Sequence, residues 1–400
     1  MNEGGAAGTI AVAEIASNRE IASIHSEIMT ATSPLILLLA DAFSLRGTSS
    51  YTLRLAEQLP QHDFRTRIVC PCARMVTLDR RDELPIQEYP HLLTPLWGQM
   101  VRRWLLADVR EDPPALIHIQ SRRMLPLGTW LAKRLRCSFV LTVHDFLQPR
   151  ERLPFSPTWG RRIITVSDAV QAELLQRTKL PPELISVIHS GVDVPAEPPR
   201  PVLEPNRTPV IGTAGPLEAV KGFPYFLGAA QRVAASNVPA EFLVAGAGPE
   251  EANLRRLARE LEIADRVTFV PNVLDLNSSL TAMDIFCLPS LRQGLGTLML
   301  EAMSLGRPVI ASDVDGVDSV VNDNETGLLV PPSNSEALAQ RMLELLRDPF
   351  RARRLADAAR DKVRRDFSVT RMAQQTVEVY RTVLGQPARE SVSPADRRSP

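Results

Sequence analysis

The sequence lacks long apolar runs, a surplus of charge of either sign and a secretory signal. The apolar run 34–40 has the length of a buried strand, well short of the ~18–20 residues of a membrane span. Forty-six basic residues balance 46 acidic ones, which argues against a dedicated nucleic-acid partner. Residues 1–33 carry several glutamates and no positively charged start followed by an apolar stretch. We therefore expect a cytoplasmic protein without a membrane span.

Cysteine is scarce, and the four cysteines have no metal-binding spacing. Cys70 and Cys72 are separated by a single residue, and no second Cys or His pair follows them. Cys137 and Cys287 lie singly in or beside apolar runs. We interpret all four as buried, reduced thiols and predict no metal site from them.

Strand-like and helix-like patterns alternate along all 400 residues, which are 44% hydrophobic and 23% charged. This length exceeds one ordinary hydrophobic core, and the alternation is typical of parallel α/β architecture. The predicted strands are 35–39, 67–70, 116–119, 139–143, 163–166, 185–189, 210–213, 241–245, 267–270, 285–289, 308–312 and 327–330. Predicted helices include 49–59, 125–135 and 168–176, and Ser333 with Glu336 predicts a capping box that opens a later helix.

A proline-rich stretch without periodicity divides the two α/β halves and predicts a linker. The carboxyl ends of two parallel sheets would then face each other across a cleft, where ligands of such folds bind. The predicted organisation is a flexible extension at 1–33, a first domain at 34–195, the linker at 196–207, a second domain at 208–370, a C-terminal helix at 371–386 packing back toward the first domain, and a disordered tail at 387–400.

The segment 288–303 is the strongest candidate for a ligand site. A strand ends at Pro289, a turn with Gly294 and Gly296 follows, and a helix opens near Thr297. Glycines let the backbone approach a ligand closely, and free N–H groups at a helix start favour phosphate. Glu301, one turn into that helix, offers a carboxylate that accepts hydrogen bonds from two ribose hydroxyls. An ordinary strand–turn–helix connection with a surface glutamate is the alternative interpretation.

The motif Gln293-Gly-Leu-Gly-x4-Glu301-Ala-Met-x2-Gly306-x-Pro308-Val-Ile-Ala resembles the pattern of glycosyltransferase family 4. In that family two acidic residues, eight positions apart, bracket a glycine-rich loop. The resemblance extends in order over about residues 34–385. It is also carried by Thr142-Val-His-Asp145, Thr165-Val-Ser167, Ser190-Gly-Val-Asp193, Gly215-Pro-Leu-x3-Lys221-Gly222, Ala245-Gly-Ala-Gly-Pro-Glu250 and Asn324-Glu-Thr-Gly-Leu-Leu-Val-Pro331.

This resemblance implies the GT-B fold, an α/β fold with two Rossmann-like domains whose parallel sheets face an interdomain cleft. It further implies a retaining transfer of a sugar from a nucleotide-diphosphate sugar to a hydroxyl acceptor, such as a glycan, a glycolipid or a cell-envelope polysaccharide precursor. No cofactor is implied beyond this co-substrate, and no metal is obligatory.

The resemblance also assigns roles to individual residues. Glu301 would hold the ribose, Gly294 and Gly296 would line the phosphate and sugar, and the backbone N–H groups of Thr297 and Leu298 would bind the diphosphate. Lys221 would neutralise the charge that develops on the diphosphate, and Gly215 belongs to the same donor site. From the first domain, Gly47 would lie near the phosphates or the acceptor, and His144 would face the transferred sugar.

Two positions depart from the family's pattern. Gln293, a candidate catalytic residue together with Lys221 and His144, stands where the family usually has a glutamate that contacts sugar hydroxyls. Pro216 stands where the family usually has an arginine. An amide donates and accepts hydrogen bonds but does not stabilise cationic character at the anomeric carbon as a carboxylate does. Arg292, beside the glycine turn, is the candidate replacement for the missing cation. A catalytically weakened nucleotide-sugar-binding protein and a nucleotide-sugar epimerase on the same fold are therefore the alternative functions.

Three further patterns have competing interpretations. Gly246-x-Gly248 resembles a dinucleotide fingerprint, but its third glycine position holds Glu251, so a dehydrogenase is disfavoured. Asp313-Val-Asp315 resembles a metal-binding Asp-x-Asp motif, although a loop at a strand end is favoured. His144, taken without the resemblance, is a histidine with satisfied hydrogen bonds at a strand end.

A helical pattern around residue 100 predicts either a helix packed on its own sheet or a peripheral contact with an anionic membrane. The apolar positions that share one predicted face are Leu96, Trp97, Met100, Val101, Trp104 and Leu105, with Arg102 and Arg103 opposite. Residues 100–180 hold fourteen Lys or Arg against seven Asp or Glu. A lipid-linked acceptor would be reached from such a surface.

Overall fold

The structure is a computed structural model that describes residues 33–43, 47–271 and 276–386. The predicted tail at 387–400, and the predicted extension apart from Ser33, lie outside the described residues.

The first domain contains a sheet of seven parallel strands in the order β3-β2-β1-β4-β5-β6-β7. The strands are β1 (Leu35–Leu39), β2 (Arg65–Cys70), β3 (Ile86–Glu88), β4 (Leu116–Ile119), β5 (Ser138–Val143), β6 (Gly160–Thr165) and β7 (Ile185–Val187). The helices are α1 (Gly47–Gln58), α2 (Leu78–Glu83), α3 (Gly98–Glu111), α4 (Leu125–Leu135) and α5 (Asp168–Arg177).

The apolar run of β1 reflects a strand that is buried on both faces of the sheet. Ile36 and Leu38 join the core beneath α1, whereas Leu37 and Leu39 join the core beneath α3 and α4. A strand with only one buried face would instead alternate apolar and polar residues.

The second domain repeats this architecture with six parallel strands in the order β10-β9-β8-β11-β12-β13. The strands are β8 (Val210–Ala214), β9 (Glu241–Ala245), β10 (Val267–Val270), β11 (Ile285–Leu288), β12 (Val309–Ser312) and β13 (Leu328–Val330). The helices are α6 (Phe223–Ala234), α7 (Glu251–Glu260), α8 (Leu276–Ala282), α9 (Thr297–Ser304), α10 (Ser335–Arg347) and α11 (Pro349–Asp366). The terminal helix α12 (Val369–Leu384) follows them and belongs to the first domain's core.

In both sheets the strand order reverses beside the first strand, between β1 and β4 and between β8 and β11. Ligands of open parallel sheets bind outside the carboxyl ends of the strands at such a reversal. The predicted fold class, two Rossmann-like domains across a cleft, is confirmed.

The chain crosses between the domains at two adjacent places. Val192 donates its N–H to the Phe367 carbonyl at 2.9 Å, and Val369 donates to the Val192 carbonyl at 3.2 Å. After the second crossing, α12 packs into the first domain, where Met372 and Tyr380 share a core with Ile36 and Leu38.

The proline-rich stretch 196–207 contains no helix or strand and lies against the second domain. The buried carboxylate of Asp284 accepts hydrogen bonds from the N–H groups of Leu203 at 2.9 Å and Val210 at 2.8 Å. Arg207 also donates to Asp284, and Val202 and Leu203 are part of the second domain's core. Hydrogen bonds to Asp284 therefore hold the stretch 196–207 against the second domain, although its sequence has no helical or strand periodicity.

Two local features differ from the sequence-based expectations. β3 was not predicted, because three partly exposed residues, Ile-Gln-Glu, carry too little periodicity to mark a strand. The capping box at Ser333 and Glu336 is wrong. Asn334 is the N-cap of α10, and its side-chain oxygen accepts the Ala337 N–H at 2.9 Å, while Ser333 has a left-handed backbone.

Candidate active site

The glycine turn between β11 and α9 lies at the carboxyl edge of the second sheet. Gly296 is the N-cap of α9 with a φ of 87°, a left-handed conformation that favours glycine. The N–H groups of Met299 and Leu300 donate to the Gly296 carbonyl at 2.9 and 3.1 Å. The N–H groups of Thr297 and Leu298 precede these first helical hydrogen bonds, so they lie at the positive end of the helix.

Lys221 lies beside this turn because two loops of the second domain are joined there. Leu291 donates its N–H to the Val220 carbonyl at 2.9 Å, and a Cβ at Gly222 would lie 1.9 Å from the Pro289 carbonyl oxygen. Only glycine permits this approach. The chain after the short 3-10 helix Ala219–Lys221 is thereby fixed against the strand–turn–helix segment.

Lys221 and Gln293, both predicted as catalytic, are in direct contact. The Lys221 ammonium donates to Gln293 Oε1 at 2.9 Å, and the Ser290 hydroxyl donates to the same oxygen at 3.3 Å. Because Gln293 is neutral, this hydrogen bond orients the ammonium without cancelling its charge. Ser290 was not singled out from the sequence; it directly follows Pro289, at the end of a predicted strand.

Gly215, also assigned to the donor site, follows β8 and lies beneath the start of α9. Its N–H donates to the Ala245 carbonyl at 2.9 Å, and a Cβ at this position would lie 3.4 Å from Leu298 Cδ1. The structure thus brings Gly215, Lys221, Gln293, Gly296 and Leu298 together at one edge of the sheet.

His144 follows β5 and meets the glycine turn from the first domain. A Cβ at Gly294 would lie 3.0 Å from the His144 carbonyl oxygen. The imidazole is half-buried, its Nε2 is shielded from solvent, and it stands edge-on to Tyr51 with ring centres 4.9 Å apart. Burial lowers the pKa of His144 to about 4, with Asp145 and a hydrogen bond to the Gln120 backbone acting in the opposite direction. The imidazole is therefore neutral near pH 7.

Two buried polar groups near His144 were not identified from the sequence. Within the described residues, both amide atoms of Gln120 have no hydrogen-bond partner, as is true of His144 Nε2, and the buried Tyr51 hydroxyl faces Thr142 and Thr376. Gln120 directly follows β4 and Tyr51 lies in α1. A polar residue directly after an apolar strand was the available signal for Gln120, whereas Tyr51 has the spacing of an ordinary core residue. Buried polar atoms without partners are uncommon and are a feature of sites that bind water or ligands.

Glu301 is buried between the domains and is paired with Arg54, a residue that sequence reasoning missed. Arg54 Nη2 donates to Glu301 Oε1 at 2.9 Å, and Arg54 Nε donates to Asp193 Oδ2 at 2.9 Å. Burial raises the pKa of Glu301, and the Arg54 guanidinium opposes this shift. Arg54 is one arginine among ordinary helical positions of α1, so no motif marks it. The assignment of Glu301 to a ribose remains a prediction.

Arg292 points to the first domain rather than along the glycine turn. Its guanidinium donates to Glu173 Oε1 at 2.9 Å and lies 3.9 Å from the centre of the Phe146 ring. The predicted contact of Arg292 with a diphosphate would compete with this pairing and remains a prediction. Gly47 begins α1, directly after residues 44–46, which are not described.

The residues weighed as metal ligands are dispersed. Asp313 and Asp315 are exposed in the loop after β12, and Gly316 of this loop packs against the Gly294 carbonyl. Across the described ranges, no group of three or more His, Cys, Asp and Glu side chains is arranged to hold a metal ion. The four cysteines are free thiols, and Cys70, Cys137 and Cys287 are buried as predicted. The prediction of burial is wrong for Cys72, which is only partly buried.

Two facing Rossmann-like domains, with a glycine turn, a lysine and a buried glutamate at the cleft edge of the second, are the architecture of a GT-B glycosyltransferase. The model of glycosyl transferases group 1 matches residues 197–362, and that of glycosyltransferase family 4 matches residues 45–195. The chain belongs to this family of glycosyltransferases.

Curated relatives support this membership. Alpha-maltose-1-phosphate synthase of Mycobacterium tuberculosis is 34% identical over 307 residues, which cover 70% of this chain and 75% of the relative. Phosphatidyl-myo-inositol mannosyltransferase of Mycobacterium leprae is 29% identical over 360 residues, 84% of this chain and 93% of the relative. The match to alpha-D-kanosaminyltransferase of Streptomyces kanamyceticus, 30% identical, spans 44% of this chain and only 46% of that protein.

Solved structures support the fold. HepE of Anabaena, solved in complex with UDP and glucose, is 21% identical with a TM-score of 0.74, covering 87% of this chain and all of that one. Sucrose-phosphate synthase of Thermosynechococcus elongatus is 23% identical with a TM-score of 0.71, covering 88% of this chain and 99% of that one.

Proposed function

We propose that this glycosyltransferase moves a sugar from a nucleotide-diphosphate sugar to a hydroxyl acceptor with retention of the anomeric configuration. The acceptor would be a glycan, a glycolipid or a cell-envelope polysaccharide precursor, and the enzyme would act in the cytoplasm without an obligatory metal ion. The observation that carries the proposal is the convergence of Lys221, the start of α9 and His144 at one point of the cleft. The binding of UDP-glucose by the structurally similar HepE supports the donor class.

The donor's diphosphate fits the edge formed by α9 and Lys221. The N–H groups of Thr297 and Leu298 would donate to phosphate oxygens, and the Lys221 ammonium would approach them from the neighbouring loop. Glu301 would accept hydrogen bonds from the ribose hydroxyls. Because Arg54 donates to one oxygen of that carboxylate, the ribose would use the other oxygen or displace the guanidinium.

In the reaction, the bond between the anomeric carbon and the β-phosphate oxygen breaks, and charge develops on the leaving diphosphate. A fixed ammonium and oriented amides stabilise such charge most strongly where water is excluded. The acceptor oxygen would attack from the face that the diphosphate leaves, and its proton would pass to a phosphate oxygen. Atoms and charge balance without a protein nucleophile, and we nominate none.

His144 would contact the transferred sugar. A neutral imidazole with an unpartnered Nε2 can form a hydrogen bond with a sugar hydroxyl. Because it carries no charge, it would not repel the positive charge that develops at the anomeric carbon. His144→Ala should then reduce turnover far more than nucleotide affinity, and an unchanged rate would discard this role.

A first experiment screens UDP-, GDP- and ADP-sugars by thermal shift and then measures transfer or hydrolysis with the donors that bind, with and without EDTA. Turnover that survives EDTA supports the proposed reaction. Turnover that requires a divalent ion would overturn the metal-independent form of the proposal.

The alternative of a catalytically weakened binding protein is favoured by one observation, the neutral Gln293 where the family usually has a carboxylate. It predicts binding without turnover, and Gln293→Glu should then restore activity. An epimerase would instead alter the sugar of the donor in the absence of an acceptor.

A further inference from the structure

The outward face of α3 and the residues just before it form an exposed apolar stripe. Leu96 is 86% exposed, Trp97 63%, Trp104 56% and Met100 40%. These are four of the seven large hydrophobic side chains that are strongly exposed in the described part of the chain. We call these four residues the α3 stripe.

The opposite face of α3 holds the helix on its own sheet. Val101, Leu105, Leu106 and Val109 are buried in the core beneath α3 and α4. The predicted single apolar face is therefore wrong in part, because Val101 and Leu105 turn inward while the α3 stripe turns outward. Packing on the sheet accounts for the inward face of α3 and not for the exposed tryptophans, for which membrane contact remains a prediction.

Basic side chains flank the α3 stripe. Arg103 and Arg110 are exposed on α3, and Lys133 and Arg134 are exposed on α4, which shares its core with α3. Of the acidic residues nearby, Asp108 accepts a hydrogen bond from the Tyr89 hydroxyl at 2.6 Å, and Asp112 is paired with Arg65 at 2.9 Å. Glu111, the last residue of α3, is exposed beside Arg110. An apolar stripe with basic flanks is complementary to the headgroup region of an anionic bilayer.

The α3 stripe begins at the same edge of the first domain as the cleft. Helices of a parallel α/β sheet run opposite to the strands, so the start of α3 lies at the carboxyl edge. His144 follows β5 at this same edge. A surface resting on the α3 stripe would therefore lie next to the mouth of the cleft.

We propose that the first domain docks on an anionic bilayer through the α3 stripe, with Trp97 and Trp104 placed in the headgroup region. Tryptophan is suited to this depth because its ring is apolar and its N–H is polar. Among the helices in the described ranges, none combines the length and apolarity needed to cross a bilayer. Docking brings a lipid-linked acceptor to the cleft; that part rests on the proposed function, whereas the docking itself does not.

A second copy of the chain is the competing occupant of the stripe. A two-fold interface would place each stripe against its own copy, bringing Arg103 and Arg110 of one molecule close to those of the other. Like charges at the rim oppose this pairing, whereas anionic headgroups neutralise them.

The experiment is flotation of the full-length protein with phosphatidylcholine vesicles, with and without phosphatidylglycerol. The wild type should float with the anionic vesicles only, and W97A/W104A should lose at least about tenfold in partitioning. R103E/R134E should weaken binding at low salt. Phe350→Ala is the matched control, since Phe350 is 82% exposed on the second domain. All of these side chains are exposed, and unfolding curves check that each variant is folded.

Equal flotation of W97A/W104A and wild type would overturn the proposal. So would a dimer, measured by light scattering without lipid, that W97A/W104A converts to a monomer. Nucleotide binding, measured by thermal shift, should be the same in wild type and W97A/W104A, because the α3 stripe does not form part of the donor site. If no nucleotide-sugar binds at all, the proposed function fails while the flotation result still stands.

Discussion

Arg54 connects three parts of the molecule through one buried guanidinium. It donates to Glu301 of α9, to Asp193 after the first crossing and, at 3.4 Å, to the Gly191 carbonyl. Removing one member of a buried ion pair leaves the other charge desolvated and unpaired. Arg54 therefore orients the Glu301 carboxylate, and its guanidinium opposes the rise in the pKa of Glu301 that burial causes.

Arg54→Ala should lower the free energy of unfolding by about 3 kcal/mol, because Glu301 stays buried without its partner. Arg292→Ala is the matched control, since the Arg292 side chain is 47% exposed in its own interdomain pair, and it should cost less than about 1 kcal/mol. Denaturant unfolding measures both values. Equal losses of unfolding free energy in the two variants would show that the Arg54–Glu301 ion pair contributes no more to stability than an exposed pair.

In the proposed reaction, Lys221 is the residue whose charge acts most directly on the leaving diphosphate. Lys221→Met keeps much of the side-chain length and removes the ammonium, so we expect turnover to fall on the order of 100-fold. Donor affinity should change less, because the amides at the start of α9 remain. Lys179→Met, at an exposed position after α5, is the control and should retain full activity. A loss confined to donor affinity would contradict a role in the transition state.

His144 and His118 make stability depend on pH. Burial lowers the pKa of His144 to about 4 and that of His118 to about 3, against an ordinary value of 6.5. Below pH 6.5 and above the folded-state pKa of each histidine, that histidine binds a proton in the unfolded chain but not in the folded chain. The stabilisation is thus complete above pH 6.5 and is lost as the pH falls, by up to about 1.4 kcal/mol per pH unit for each histidine.

Replacing His144 by asparagine should flatten the dependence of unfolding free energy on pH between 6.5 and 4. Phe350→Ala, which replaces an exposed side chain without a titratable group, is the control and should leave the slope unchanged. Chemical denaturation at a series of pH values measures these slopes, and an unaltered slope in His144→Asn would refute the assignment.

At the scale of elements, α12 completes the first domain from the far end of the chain. The Tyr380 hydroxyl lies 2.5 Å from His118 Nδ1, and the Tyr380 ring packs edge-on against Phe64. His118 Nε2 lies 2.7 Å from the Thr142 hydroxyl, which links α12 to β4 and β5. The helix is therefore bound by a buried polar chain as well as by apolar contact.

Tyr380→Ala should cost about 3–5 kcal/mol of stability, because a large buried side chain is lost. Tyr380→Phe removes only the hydroxyl and should cost about 1–3 kcal/mol, since it leaves His118 without a partner on one side. Phe350→Ala, at an exposed position, should have little effect. Thermal or denaturant unfolding ranks the three variants, and a Phe variant as unstable as the Ala variant would contradict the ranking.

Most strands were predictable from the sequence because both sheets are buried on two faces. The runs 35–39, 116–119 and 241–245 match β1, β4 and β9, whereas β3 has no apolar run to reveal it. The cap of α10 was misplaced because Ser333 and Asn334 are both good capping residues, and only the backbone conformation distinguishes them. Propensity identified the element but not its first residue.

The proximity of the glycine turn and Lys221 could be expected from the family resemblance, because both lie in motifs with particular residue types at fixed spacing. Arg54 and Tyr51 could not, since each acts through contacts made by distant parts of the chain. Arg54 and Glu301 are 247 positions apart. Such ion pairs depend on how the two domains pack against each other, and local sequence patterns carry no information about that packing.

At the scale of the whole molecule, two ion pairs bridge the cleft on either side of the glycine turn. Arg54 with Glu301 lies near the crossings, and Arg292 with Glu173 lies on the His144 side. The double variant Arg54→Ala/Arg292→Ala should therefore populate a more open arrangement. Small-angle scattering should report a larger radius of gyration than for wild type. Arg256→Ala, exposed on α7, is the control, and an unchanged radius in the double variant would show that other contacts set the interdomain angle.

The paired crossings at Val192 and Phe367 have a consequence for how the protein can be dissected. The chain leaves the first domain once and returns once, so the second domain is topologically an insert and the first is assembled from two separate stretches. A fragment of about residues 192–367 contains its whole sheet and is a reasonable unit to express by itself. A fragment ending at 195 would lack α12 and expose the surface that Tyr380 covers. Studies of acceptor recognition on an isolated first domain therefore need the terminal helix joined back by a short artificial connector.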